Sequence, residues 1–258
     1  MKASKETFVI VLILMIILFL MQGMVYSQPV IIGLKGGISV PELSGGSTPQ
    51  STGYTSRLAP NFGAYINYGI NSSWTLKAEV LFSGQGGKRN GMQAISSDNF
   101  ADMPLPPNTD LYANFNNETI INYLEIPLLV GYTINGQNTS ISEYIDAGPY
   151  LGILLNAKTV TSGNSNLYLD QAGTMPLSVD GYPVPSQNFN SETGITSSVK
   201  TLNVGIALGI GINLNIGYGV LDFKLRGVYG FIPIQSDNSS GSNNTGALYF
   251  TIGYGIHV

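Results

Sequence analysis

The feature that most constrains the fold is an alternation of apolar and polar residues, which returns along the chain in segments of about ten residues. A period of two residues is typical of a β-strand with one apolar and one polar face. Repeated segments of this length predict an all-β protein, an eight-stranded antiparallel up-and-down transmembrane β-barrel. The eight predicted strands are residues 30–39, 61–70, 74–83, 121–132, 143–154, 201–214, 217–231 and 247–257.

The connections between these segments alternate in length. Those at 71–73, 135–142 and 215–216 are short and rich in turn-forming residues. The other four are long and rich in Ser, Asn, Gly and Pro. Short periplasmic turns and long extracellular loops are typical of outer-membrane barrels. The predicted extracellular loops are residues 40–60, 84–120, 155–200 and 232–246.

The two faces of each predicted strand differ in size and polarity, as Leu202 and Ile206 differ from Asn203 and Gly205. A soluble barrel would turn the apolar face inward around a ligand, whereas a membrane barrel turns it toward lipid. Aromatic residues at both ends of the apolar face favour the membrane alternative, because aromatic belts lie at the two membrane interfaces. The belt residues are Tyr68, Trp74 and Tyr132 beside the short turns, and Phe62, Phe82 and Phe231 beside the long loops.

Charge and the amino-terminal segment also favour export to a membrane. Charged residues are 10% of the chain, against about 25% in an average soluble domain. The net charge of −4 argues against nucleic acid as a partner. Residues 1–27 are predicted to be a cleaved signal peptide, because Lys2 and Lys5 precede an apolar run, Phe8 to Met21, that is too short for a membrane helix. Residues 28–258 then form an outer-membrane β-barrel surrounded by lipid.

In this orientation eight charged side chains point into the lumen. Side chains fill a barrel of this size, and buried charges are tolerated when they are paired. A structural ion-pair network is the favoured interpretation, and an ion or proton path is the alternative. Pro127 lacks a backbone donor, which predicts a bulge or local break in its strand. The eight residues are Lys35, Lys77, Glu79, Glu125, Asp146, Asp222, Lys224 and Arg226.

Four segments together resemble the PorT-like outer-membrane β-barrel family of the Bacteroidota: GLKGG (33–37), VLFSGQGGK (80–88), YLEIPLLVGY (123–132) and DAGPYLGILL (146–155). The resemblance covers the chain from about Val30 to Val258. The resemblance implies an eight-stranded outer-membrane barrel. Members of this family are commonly labelled porin-like, and one of them is associated with type IX secretion. The ending Ile256-His257-Val258 departs from the terminal aromatic residue that is common in such barrels.

The residues do not favour an enzyme. The only histidine, His257, is expected at the periplasmic end, far from the outer-leaflet lipid that a Ser-His hydrolase would cleave. Without cysteine there is no thiol nucleophile or zinc-thiolate site, and no metal or cofactor motif stands out. We therefore predict a structural or interaction component of the cell envelope, whose long loops meet a protein partner in secretion machinery or envelope assembly. The alternative is a narrow porin-like channel for ions or small solutes.

Overall fold

Eight long antiparallel strands form the body of the protein. A computed structural model describes residues 30–100, 109–134, 140–237 and 241–258, and the predicted signal peptide lies outside the described residues. The strands are β1 (Val30–Gly45), β2 (Ala59–Gly69), β3 (Trp74–Ser96), β4 (Asp110–Thr133), β5 (Ile141–Ser162), β6 (Leu202–Ile216), β7 (Gly219–Gly230) and β8 (Asn243–His257). Short strands at Asn164–Ser165, Ser178–Val179, Tyr182–Pro183, Gln187–Asn188 and Ser191–Gly194, and 3-10 turns at Ser97–Phe100 and Thr196–Ser198, lie in the connections.

The sheet closes on itself. Each long strand pairs antiparallel with the next one in sequence, and β8 returns to pair with β1. In that closing pair Ile38 lies opposite Phe250. The predicted all-β ring of eight antiparallel strands is therefore confirmed.

The strand boundaries differ from the predicted ones on the side of the long loops. β3, β4 and β5 contain 23, 24 and 22 residues, about twice the length needed to cross a membrane. Parts of all four segments predicted to be loop are instead strand, namely residues 40–45, 59–60, 84–96, 110–120, 155–162 and 243–246. Their polar composition suggested a loop. Strand pairing depends on backbone hydrogen bonds, which form in water as well as in lipid, so polar segments can also pair. The connections that remain are residues 46–58, 97–109, 163–201 and 231–242.

The turns at the other end are built by local side chains and glycine. The Asn71 side chain accepts hydrogen bonds from the amides of Ser73 and Trp74 at 2.9 and 2.8 Å, which closes the turn between β2 and β3. The turn between β6 and β7 was predicted at 215–216 but lies two residues later, at 217–218, because Gly217 supplies the left-handed conformation with φ 60°.

The apolar face of the strands points outward and the polar face inward. On β1, Leu34 is 71% exposed while its neighbour Lys35 is 6% exposed. The same contrast holds on β7 between Phe223 and Lys224. A surface this apolar suits lipid rather than water. Among the residues described, no helix is long and apolar enough to cross a membrane.

Pro127 interrupts the ladder without shifting its register. The β3–β4 register is the same on both sides of it, with Ala78 opposite Leu128 and Leu81 opposite Glu125, but the two positions between are unpaired. The bulge of β4 lies instead between Asn122 and Tyr123, where the pairing with β5 shifts. A missing N–H breaks a hydrogen bond locally and does not require an extra residue.

Candidate functional site

Glu79, in the half of β3 nearer the short turns, is the centre of a buried ion-pair network inside the ring. Its carboxylate oxygens lie 2.8 Å from Lys35 Nζ, 3.4 Å from Lys224 Nζ, and 2.6 and 2.8 Å from the two terminal nitrogens of Arg226. The two parallel bonds from Arg226 form a bidentate pair. The ion pairs of Glu79 thus connect three strands, β1, β3 and β7, which are not all adjacent to one another in the ring.

A second carboxylate extends the network toward the short turns. Asp146 Oδ2 on β5 lies 2.5 Å from Lys224 Nζ and 3.1 Å from Lys77 Nζ. Lys77 also lies over the ring of Tyr144, 3.3 Å from its centroid, where the ring electrons attract the ammonium group. Lys224 bridges Asp146 and Glu79 and so joins the two halves.

The other two interior carboxylates are held by phenols. The Tyr144 hydroxyl donates to Asp222 Oδ1 at 2.5 Å, and the Tyr249 hydroxyl donates to Glu125 Oε2 at 2.8 Å. Within the described part of the chain, neither carboxylate has a cation within 4.0 Å. The end of the ring with the short turns is here called the turn end, and the end with the long connections is called the loop end. Asp222 lies toward the turn end and Glu125 toward the loop end. The ion-pair network around Glu79 and Asp146 therefore has a carboxylate bound by a tyrosine hydroxyl on each side.

The structure thus buries all eight charged residues assigned to the lumen, with exposed fractions between 1% and 8%. Six of them, all but Glu125 and Asp222, are joined by direct ion pairs. Sequence reasoning missed the interior tyrosines. Tyr144 shares the strand parity of Asp146, and this signal could have placed it inside. The buried tyrosines are Tyr65, Tyr123, Tyr144, Tyr150 and Tyr249.

Little open space remains inside the ring. A cavity of about 120 Å³ lies at the turn end, where Lys77 and Tyr144 form part of its wall and His257 part of its rim. At the loop end, inward residues of the strands pack with residues of two connections and close the ring. This cap cluster consists of Leu43, Ile121, Tyr123, Ala157, Val199 and Ile234.

The six aromatic residues assigned to the belts lie on the outer face, and four of them pair across strands. At the loop end, the rings of Phe62 and Phe82 stack with centroids 5.0 Å apart. At the turn end, the rings of Trp74 and Tyr132 meet edge to face, also at 5.0 Å. Tyr68 is half-buried next to the turn, and Phe231 is 58% exposed at the loop end of β7.

The extensions of β3, β4 and β5 carry a second folded unit, here called the head. It consists of residues 84–100, 109–122 and 156–194, and its core is formed by β4 and the connection between β5 and β6. Phe115 and Phe189 stack in this core with ring centroids 4.4 Å apart. The core residues are Leu111, Ala113, Phe115, Leu167 and Leu177, with Ile95, Phe100, Val184 and Phe189 around them.

Local polar contacts order the surface of the loop end. Arg57 Nε lies 2.7 Å from Glu118, and Lys158 lies 2.9 Å from Glu192. The Asp170 carboxylate accepts bonds from the Thr174 hydroxyl and from the amides of Thr174 and Met175. These bonds, that of the Thr174 hydroxyl first, hold the pKa of Asp170 below its usual value. The long connection between β5 and β6 is therefore a defined structure rather than a featureless coil.

A closed ring of eight strands, apolar outside and charged inside, defines a membrane-spanning β-barrel protein. The chain belongs to the outer membrane protein β-barrel domain family, whose sequence model matches residues 26–236. The structure adds β8, which lies beyond that match and completes the ring.

Several solved outer-membrane proteins have a similar course of the chain. Ail, the attachment invasion locus protein of Yersinia pestis, is 12% identical over 89% of this chain and 99% of its own, with a TM-score of 0.37. Neisserial surface protein A is 12% identical over 88% and 97%, with a TM-score of 0.38. OprG of Pseudomonas aeruginosa is 11% identical over 89% and 97%, with a TM-score of 0.40. No curated protein matches the chain.

Proposed function

We propose that this protein is a non-enzymatic component of the cell envelope that presents its head to a protein partner. The proposal includes export by the signal peptide, the long loops facing outward, and membership of the PorT-like group of Bacteroidota barrels. The partner belongs to a secretion or envelope-assembly machine. The observation that carries the proposal is that the loop end is folded around its own apolar core while the interior of the ring is filled.

The surface of the head has the chemistry of a protein contact. Tyr182 is 78% exposed and follows the tight turn Asp180–Gly181, while Met175 and Leu169 are 55% and 43% exposed. An exposed tyrosine and methionine on an ordered support are favourable at interfaces, because they bury large area at small cost in entropy. A rigid head also loses less freedom on binding than a flexible loop would.

Two other functions have less support. An enzyme of the Ser-His type would need its base near the substrate, but His257 lies at the turn end, opposite the head. A narrow porin-like channel would need a continuous path, whereas Glu79, Arg226 and their partners occupy the middle of the ring. Both observations favour binding over chemistry or transport.

The test is photo-cross-linking in intact cells, with a cross-linking amino acid at Tyr182 and, as a matched control, at Tyr218. Both tyrosines are strongly exposed, 78% and 92%, but they lie at opposite ends of the ring. We expect a reproducible envelope protein, identified by mass spectrometry, from position 182 only. Tyr182→Ala combined with Met175→Ala should abolish the adduct formed from a third head position, Leu169. Cross-links from 218 alone, or none from the head, would contradict the proposal.

A further inference from the structure

A cleft of about 490 Å³ opens at the loop end, beside the head core. Its walls come from the connection between β1 and β2 at residues 46–53, the β3 extension at residues 89–94, Tyr112 on β4, and Gln171 from the connection between β5 and β6. Its volume falls within the range of about 300–1,000 Å³ that is usual for small-molecule sites. Four parts of the chain thus meet around one cleft.

The lining offers hydroxyl and amide groups. Thr48 and Thr52 contribute hydroxyls, and Asn90, Gln93 and Gln171 contribute amides. Amides and hydroxyls both donate and accept hydrogen bonds, as the hydroxyl groups of a sugar do. The half-buried ring of Tyr112 adds a flat apolar face. None of the described lining residues is acidic, although the chain as a whole is.

The cleft contains one charge, the guanidinium of Arg89, which is buried to 5% exposure. One terminal nitrogen donates to the carbonyl of Gln50 and the other donates to the carbonyl of Ala94 at 3.2 Å. The ring of Tyr54 lies 5.8 Å away. Among the described residues, no carboxylate forms an ion pair with Arg89, whereas Arg57 and Lys158 each have one. A buried cation without a counter-ion is unfavourable, so an anionic group in the cleft would stabilise it.

Gln93, in the wall of the same cleft, has a buried acceptor without a partner in the described part of the chain. It is 6% exposed, and its Nε2 donates to the carbonyls of Phe115 and Arg89 at 2.7 and 3.2 Å. These bonds fix the orientation of the amide. Its Oε1 is buried and has no hydrogen-bond partner among the residues described. This oxygen lies beneath the cleft surface, so the amides available to a ligand are the exposed ones of Asn90 and Gln171.

We propose that this cleft binds a saccharide that carries a carboxylate. Its hydroxyls exchange hydrogen bonds with Asn90 and Gln171, its carboxylate compensates Arg89, and one ring face lies on Tyr112. This goes beyond the partner proposed for the head. Access from outside the cell rests on the proposed orientation, but binding to the purified protein does not.

The test is isothermal titration of the full mature chain, refolded in detergent, with glucuronic and galacturonic acid and with neutral glucose and galactose. We expect at least one acid to bind, and to bind about tenfold more tightly than its neutral counterpart. Asn90→Ala and Gln171→Ala should each weaken binding about three- to tenfold, the effect of one lost hydrogen bond. Asn166→Ala, an exposed amide of the head outside the cleft, is the matched control and should bind as the parent does.

Folding of each variant is checked by its heat-dependent shift on a denaturing gel. The two test residues are exposed at the cleft rim rather than buried in a core, so we expect their variants to fold. Absence of binding by both acids would overturn the proposal, and so would equal affinity for acid and neutral sugar or equal affinity of the cleft variants and the parent. Any of these results would leave the cross-linking test at Tyr182 unaffected.

Discussion

The Tyr249 hydroxyl donates a hydrogen bond to Glu125 Oε2 at 2.8 Å, across the interior from β8 to β4. The same hydroxyl lies 2.8 Å from Ser83 Oγ and accepts from Gln85 Nε2 at 2.5 Å. One phenol therefore joins β3, β4 and β8. The acid of the YLEIPLLVGY segment points inward because its polar contacts are there, while its strand neighbours Leu124 and Ile126 face away.

Removing this phenol should destabilise the ring. Tyr249→Phe deletes only the hydroxyl and leaves the Glu125 carboxylate buried without its donor, which costs about 1–3 kcal/mol. We expect the urea midpoint of the refolded protein in micelles to fall accordingly. Tyr254→Phe, on the outer face and 51% exposed, is the control and should shift it little. Equal midpoints for Tyr249→Phe and the parent would show that the Tyr249–Glu125 bond does not contribute to stability.

Neutralising Glu79 should have a larger effect. Glu79→Gln leaves Lys35, Lys224 and Arg226 without their shared carboxylate in a buried site, and breaking such a cluster costs about 3–5 kcal/mol. The measurement is again urea unfolding, with the heat-dependent gel shift as a second observable. Glu42→Gln, at an exposed carboxylate bonded to Ser56, should change stability by less than about 0.5 kcal/mol. A Glu79→Gln protein as stable as the parent would refute the structural role of the network.

The fold could be predicted because an alternation with a period of two residues indicates both that a segment is a strand and which of its side chains point inward. Lys77 and Glu79 have the same parity as Thr75, opposite to Trp74, and that parity is enough to predict their direction. Their partners could not be predicted in this way. Lys35 on β1 reaches Glu79 on β3 past the whole of β2, and such a contact depends on how the ring closes rather than on sequence spacing.

The extensions of β3 and β4 were not predictable for a different reason. Residues 84–96 and 110–120 are rich in Gly, Asn and Gln, which suggests loop. Their pairing is long-range, with Arg89 opposite Asn117 and Gly91 opposite Phe115. The alternation of Leu111, Ala113 and Phe115 was the available signal, and it faces the head core rather than the membrane.

Because side chains fill the interior, we expect the protein not to conduct ions. In planar bilayers the parent protein should show no persistent open state, because Arg226 and Glu79 occupy the middle of the ring. Replacing Lys35, Glu79 and Arg226 together by Ala removes three large side chains but leaves the cap cluster, so this variant should also show no persistent open state. Insertion of both proteins is verified by the gel shift. Steady conductance by the parent would instead favour the porin-like alternative.

The head should unfold without the ring. Phe115→Ala removes one of two stacked rings from the head core, and a loss of this kind costs about 3 kcal/mol or more. We expect limited proteolysis to cut residues 163–194 faster, with an unchanged heat-dependent gel shift. Phe62→Ala, which breaks a stacked pair on the outer face, is the matched control and should leave loop cleavage unaltered. Simultaneous loss of head and ring would mean that the two units are one cooperative structure.

The hairpin that carries Tyr182 depends on a left-handed glycine. Gly181 has φ 82°, and a Cβ there would meet no atom within 4 Å, so Gly181→Ala tests backbone strain alone. An L-residue in this conformation costs about 1–2 kcal/mol, which should raise amide exchange at Val179 and Tyr182 about five- to thirtyfold. Gly194→Ala is the matched control, because that site is equally open but its φ is not positive. If both substitutions raised exchange equally, added bulk rather than conformation would be the cause. If only Gly181→Ala does so and the Tyr182 cross-link weakens with it, the order of this hairpin is part of how the head recognises its partner.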